Sequence, residues 1–258
     1  MSFPNYPDKQ KLHSLLNPED IVSYRLRLGR LPEGEFPEAV LFCLERGLPR
    51  RLRWRIPVQM AGSMLGDLYR VKKSKGRVGV MANFGGGAPI VAELAEEFVA
   101  LGTRRMILMT WGGALQPGLR PGDIVVCDRA LRDEGTSYHY LPPSRYVDAS
   151  TGLCDRLVDA LQRRGSACMV GPTWTTDAPY RETAEEVRAY QAEGVQTVEM
   201  EAAGLFAIGQ VRGVQTAAVV VIMDSLANFC WEVPERLDAI QRSLETVYAA
   251  AIDALMES

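Results

Sequence analysis

Residues Gln196 to Gly209 read QTVEMEAAGLFAIG. A β-type run (Val195, Thr197, Val198) becomes helical within this stretch, and two carboxylates, Glu199 and Glu201, flank Met200 at the junction. The helix is apolar on nearly every side, through Ala202, Ala203, Leu205, Phe206, Ala207, Ile208 and Val211, so it belongs inside the protein with its carboxylates at the edge of a core. A charge there costs stability unless the helix N-terminus or a ligand uses it. Ala202, Ala203 and Gly204 are small enough for another backbone or a flat ligand to approach closely. By themselves these residues fit an ordinary capped helix start as well as a binding site. The next apolar run, TAAVVVIM at 216–223, reads as a fully buried strand that stops at Asp224.

Working outward, the same alternation recurs. AVLFCL (39–44), GRVGVMANF (76–84), MILMTW (106–111), DIVVCDRAL (123–131) and CMVGPTW (168–174) are predicted strands. Helical patterns lie between them: IVAELAEEFVALG with Gly102 in the C′ position, CDRLVDALQRRG ending at Gly165, and EEVRAYQAEG before the opening stretch. A terminal helix, LDAIQRSLETVYAAAIDALM, closes the chain. Gly85-Gly86-Gly87 and Gly112-Gly113 are expected to end their strands, the layout of an α/β sheet whose ligand site lies at the strand C-termini. The polar segment from Arg132 to Arg145, rich in Tyr and Pro, reads as an active-site loop.

The 258 residues suffice for a large core and contain no low-complexity linker, so one α/β domain is expected over 36–258, preceded by an arm over 1–35. Lys and Arg number 29 against 32 Asp and Glu, a net charge of −3 without single-sign runs, which points away from nucleic acid and from membrane surfaces. Cys43, Cys127, Cys154, Cys168 and Cys230 are scattered without metal-binding spacing, and no metal is expected. With no apolar signal core and no run of the ~18 residues that a span needs, the expectation is a soluble cytoplasmic protein.

The glycine-rich strand ends fit either a phosphate cradle or tight turns, and none has dinucleotide-binding or Walker spacing. In order along the chain, however, FGGGAP (84–89), GGALQPGLRPGDIVV (112–126) and VEMEAAGLF (198–206) resemble the nucleoside phosphorylase family, the purine and uridine phosphorylases with their nucleosidase relatives. The resemblance implies a single domain with a central twisted mixed β-sheet, partly closed and flanked by helices. It implies an enzyme of nucleoside salvage, a pentosyltransferase that cleaves an N-glycosidic bond with inorganic phosphate as co-substrate and no cofactor. Hydrolysis by water, or nucleoside binding without catalysis, are the alternatives.

Carried over residue by residue, the resemblance assigns Met200 and Glu201 to the ribose. Asp224 falls 23 residues after Glu201, where purine phosphorylases keep the Asp that protonates or hydrogen-bonds N7, although it also fits a helix N-cap. GLPRR (47–51) is similar to the family's phosphate loop and makes Gly47 and Arg51 phosphate ligands. LHSLLNPEDI (12–21) resembles the segment whose His reaches the ribose across a dimer, here His13, which implies a homodimer or a hexamer of dimers. Trp111, Tyr180 and Arg181 are expected around the base. Met64, Leu108 and Trp111 stand where uridine phosphorylases carry two phosphate arginines and a threonine, so phosphate is held differently or is not the nucleophile. Arg25, Arg27 and Arg30 of the arm are either a replacement for the lost arginines or solvated surface charge. Asp224, together with a loop after the fifth strand that lacks the uracil-reading Gln, points to a purine base.

Overall fold

The computed structural model describes residues 6–32 and 34–257. Of the expected arm, residues 1–5 and Glu33 lie outside the described residues, as does Ser258 of the domain. The strands, in chain order, are β1 (Ala39–Cys43), β2 (Val58–Ser63), β3 (Asp67–Val71), β4 (Val78–Ala82), β5 (Arg105–Ala114), β6 (Ile124–Asp133), β7 (Tyr146–Asp148), β8 (Met169–Thr176), β9 (Thr197–Glu199) and β10 (Gln215–Ser225). The α-helices are α1 (Pro18–Arg27), α2 (Leu48–Arg51), α3 (Ala88–Ala100), α4 (Thr151–Arg163), α5 (Ala184–Ala192), α6 (Ala202–Arg212) and α7 (Asp238–Met256).

The continuous apolar runs are strands buried on both faces, and β1 makes the reason visible. Ala39, Leu41 and Cys43 point into a core shared with α4 and α7, while Val40 and Phe42 point into a second core shared with α3 and α6. The sheet runs β2-β3-β4-β1-β5 and then closes on itself through β9, β8, β6 and β10, because β10 pairs with both β6 and β5. It is therefore a mixed sheet with a five-stranded barrel at one end, the partly closed architecture expected from the sequence.

Gly112 and Gly113 do not end their strand; they lie inside β5, whose last residues pair with β9 and β10. The reason is space: a Cβ on Gly112 would fall 2.3 Å from the Val198 carbonyl oxygen and 3.0 Å from Val220 Cγ1, so glycine is what lets β5 cross the barrel. The hairpin β2-β3, absent from the sequence reading, forms an edge whose outer strand is largely exposed, so it carries little apolar periodicity. The segment after β6 is not at the ligand cavity. It is organised around the guanidinium of Arg132, which donates to Ser137 Oγ at 2.8 Å, to the Pro142 carbonyl at 2.8 Å and to Ser144 Oγ at 2.6 Å, and lies 4.2 Å from the ring of Tyr138.

The arm starts α1 at Asn17 with a capping box to Asp20, as Asn17-Pro18-Glu19-Asp20 suggests. It packs on α3, where the Arg25 guanidinium pairs with the buried carboxylate of Glu97.

Candidate active site

A cavity of about 820 Å³ opens at the ends of β1, β4, β5, β9 and β10. Leu44, Phe84 and Gly86 line one side, Thr110 to Gly113 the floor, and Glu199, Met200 and Glu201 the wall. Residues 179–187 and the loop after Asp224 cover it.

Glu201 is the N-cap of α6 and is buried. Its Oε1 accepts from the Gly87 amide at 2.7 Å, while Oε2 has a longer contact, 3.5 Å, with Thr110 Oγ1. The glycine loop after β4 thus spends one amide on this carboxylate, and a Cβ on Gly86 would meet Glu201 Oε1 at 3.2 Å. Burial raises the pKa of Glu201, and the Gly87 amide opposes the shift.

Glu199 has a different job. Its Oε2 accepts from the amides of Glu201 and Ala202, both at 2.7 Å, and its Oε1 from Thr175 Oγ1 at 2.5 Å. Thr175 Oγ1 in turn accepts from the Ala203 amide at 3.0 Å. The carboxylate is therefore the tie between β8 and the start of α6, and it fixes where Glu201 stands. Burial and the neighbouring charge of Glu201 raise its pKa, against the pull of these donors.

Asp224 reaches the cavity through a bulge. The β5–β10 register pairs Ile222 with Gly112 and Asp224 with Gly113, so Met223 is the extra residue that re-aims the strand end. Asp224 Oδ1 lies over Gly113, at 2.9 Å from where a Cβ would sit, and Oδ2 accepts from Trp231 Nε1 at 2.8 Å.

Of the residues expected at the site, Glu201, Met200, Asp224, Trp111 and Tyr180 line this one cavity, Tyr180 fully exposed at its rim. Arg181 is exposed and outside the lining, as is His13 on the arm. Gly47 caps α2 with φ 73° and gives its amide to Asn83 Oδ1 at 3.2 Å. Arg51 pairs with Glu45 at 3.4 Å, and neither Gly47 nor Arg51 lines the cavity of the single chain. Leu108 is core and Met64 packs against it.

The sequence reading does not single out three further lining residues. Arg46, adjacent to the GLPRR loop, is exposed and is the one Lys or Arg among the residues that line the cavity. Glu182 follows Arg181 directly; burial first, then the charges of Asp224 and Glu186, push its carboxyl up to about 7. Trp231 stands seven residues beyond Asp224 in a loop of mixed polar and apolar residues without periodicity. Position beside a motif is the only signal that marks the first two, and no signal marks the third. Among the described residues no group of His, Cys, Asp or Glu is arranged to hold a metal ion, and no helix is long and apolar enough to cross a membrane.

The closed barrel and the carboxylate-lined cavity define a nucleoside phosphorylase-like fold. The family model of the phosphorylase superfamily matches residues 54–256, and the chain belongs to that superfamily. It is 31% identical over 170 residues to a guanosine phosphorylase of Halorubrum lacusprofundi, spanning 61% of this chain and 69% of that one. It is 27% identical over 208 residues to a DeoD-type purine nucleoside phosphorylase of Caldanaerobacter subterraneus subsp. tengcongensis, spanning 76% and 86%. A crystal structure of uridine phosphorylase from Vibrio fischeri superposes with a TM-score of 0.73 at 22% identity, covering 86% of this chain and 91% of that one, a likeness of fold.

Proposed function

We propose that this protein is a nucleoside phosphorylase that cleaves the N-glycosidic bond of a purine nucleoside with phosphate as nucleophile. The observation that carries the reading is the convergence of Glu201 and Asp224, from two different strand ends, on one cavity. Glu201, with Met200 beside it, binds the ribose hydroxyls, and the carboxylate stabilises the positive charge that grows on the ribosyl ring. Trp111 offers an aromatic face to the base.

As the C1′–N9 bond breaks, its electron pair flows into the purine, and N7 takes a proton from Asp224. A phosphate oxygen forms the new bond to C1′, giving ribose 1-phosphate. The proton that the phosphate loses restores Asp224 through solvent. Burial first, and then the nearby charge of Asp224, push Glu182 up to about 7, which places a second acid beside Asp224. A pyrimidine has no N7 for this pair to serve.

Four carboxylates, Glu182, Glu199, Glu201 and Asp224, line the cavity against the single cation Arg46. Phosphate binding in this reading therefore leans on Arg46, with Gly47 and Arg51 of the adjoining loop. The scarcity of cations favours a second reading, hydrolysis by water, because among the lining residues Arg46 alone is a Lys or Arg able to receive an anion. The deciding experiment incubates purine and pyrimidine nucleosides with the pure protein, with and without phosphate. Release of purine that requires phosphate and yields ribose 1-phosphate supports the first reading, with a rise of about tenfold in the phosphate KM expected for Arg46→Ala. Free ribose at equal rate without phosphate establishes the second.

A further inference from the structure

The two oxygens of Asp224 are distinguished by the protein around them. Oδ2 is taken by the Trp231 indole N–H at 2.8 Å. Oδ1 lies against Gly113, a residue of the cavity floor, and among the described residues no hydrogen bond reaches it.

The loop that brings Trp231 back to Asp224 is closed at its neck. Ser225 and Glu232 exchange backbone hydrogen bonds, each 2.9 Å, and the Leu226 amide donates to the Ala114 carbonyl at 2.9 Å, tying the loop to the end of β5. Inside it, the Phe229 amide donates to the Leu226 carbonyl at 2.9 Å, and Asn228 Nδ2 donates to the Glu232 carboxylate at 3.2 Å and 3.3 Å. Phe229 sits at φ 61°, a backbone conformation that a bulky residue adopts only when its surroundings hold it, and Arg188 lies 4.7 Å from its ring. Trp231 itself is 68% exposed, so core packing does not account for its placement.

We propose that Trp231 is a positioning residue for leaving-group protonation: its indole N–H holds Asp224 Oδ2, turning Oδ1 to the base and stabilising the carboxylate that remains once the proton has gone to N7. This rests on the purine phosphorolysis proposed above. An indole N–H donates and cannot accept, so it favours the carboxylate product of the transfer and never competes for the proton. Its effect is confined to substrates whose base must be protonated in order to leave.

That restriction supplies the test. Trp231→Phe keeps an aromatic ring and removes the N–H. Single-turnover cleavage of inosine, guanosine and 7-methylguanosine is measured for the wild type, Trp231→Phe and Trp231→Gln at saturating phosphate. 7-Methylguanosine already carries the positive charge that protonation would supply, so its base leaves without an acid. The expected result is a loss on the order of tenfold for inosine and guanosine in Trp231→Phe, with KM little changed. 7-Methylguanosine cleavage stays at the wild-type rate, and the side-chain N–H of Trp231→Gln recovers part of the loss. An unchanged rate on inosine and guanosine, or an equal loss on all three substrates, overturns the proposal. A wild type that leaves every purine nucleoside intact overturns the underlying reading instead, and this is seen before any variant is made.

Discussion

At the scale of single residues, Glu182 is the most informative side chain of the site. Its pKa lies above the ordinary carboxylate range, so the folded protein holds the proton more tightly than the unfolded chain does. The stability this contributes is complete below the ordinary carboxylate range and is lost as pH rises through about 7. Glu182→Gln is therefore expected to flatten the pH dependence of the unfolding midpoint across that window. Identical pH profiles for variant and wild type would assign the titration to another group. Glu182 was not legible beforehand, because its burial, and after that its nearness to Asp224, 42 residues away, are set by the fold, whereas Glu201 stands in a motif that the family resemblance marks.

At the scale of elements, the crossing of β5 over the barrel depends on the absence of one side chain. A methyl at Gly112 meets backbone, the Val198 carbonyl at 2.3 Å, and backbone yields less readily than the end of a flexible side chain. Val198 is the middle residue of β9, whose last residue, Glu199, sets the start of α6. Gly112→Ala is thus expected to cost about 1–3 kcal/mol in stability and to lower activity with it, read as a drop in denaturation midpoint and in kcat/KM. A variant as stable and active as the wild type would mean that β5 and β9 separate freely. The helices were read closely from periodicity and capping, with Gly102 and Gly165 just past the ends of α3 and α4. The passage of β5 through its glycines was not, since a glycine that ends a strand and one that admits a neighbour look alike in sequence.

At the scale of the whole molecule, the arm is fastened to the domain by a mostly buried ion pair and by Lys9 and Gln10, which reach His139 and the Tyr138 carbonyl. Arg25 pairs with Glu97, whose side chain is 3% exposed, and this assigns Arg25 to anchoring α1 on α3. Burial raises the Glu97 pKa and Arg25 lowers it. Arg25→Ala leaves a buried carboxylate without its partner, expected to cost about 3 kcal/mol near neutral pH. Because the unpaired Glu97 is accommodated once protonated, the loss shrinks as pH falls through its raised pKa, above the ordinary carboxylate range, and Glu97→Gln in the same chain restores part of the stability. Chemical denaturation at pH 5 and pH 8 measures both. A loss that is equal at the two pH values would show that Arg25 acts through packing alone.

The sequence by itself determined most of the strands and helices, and its resemblance to the nucleoside phosphorylases implied the class of fold and singled out Glu201 and Asp224 as site candidates. The strands and helices are written in local patterns, since burial on one or both faces imposes its period on the residues nearby. Tertiary structure alone decided which strands close the barrel, the use of Glu199 as a tie between β8 and α6, and the meeting of Arg46, Glu182 and Trp231 at one cavity. These depend on strand register and, for Asp224 and its loop, on a one-residue bulge at Met223, which set where distant side chains come together and leave no period in the chain.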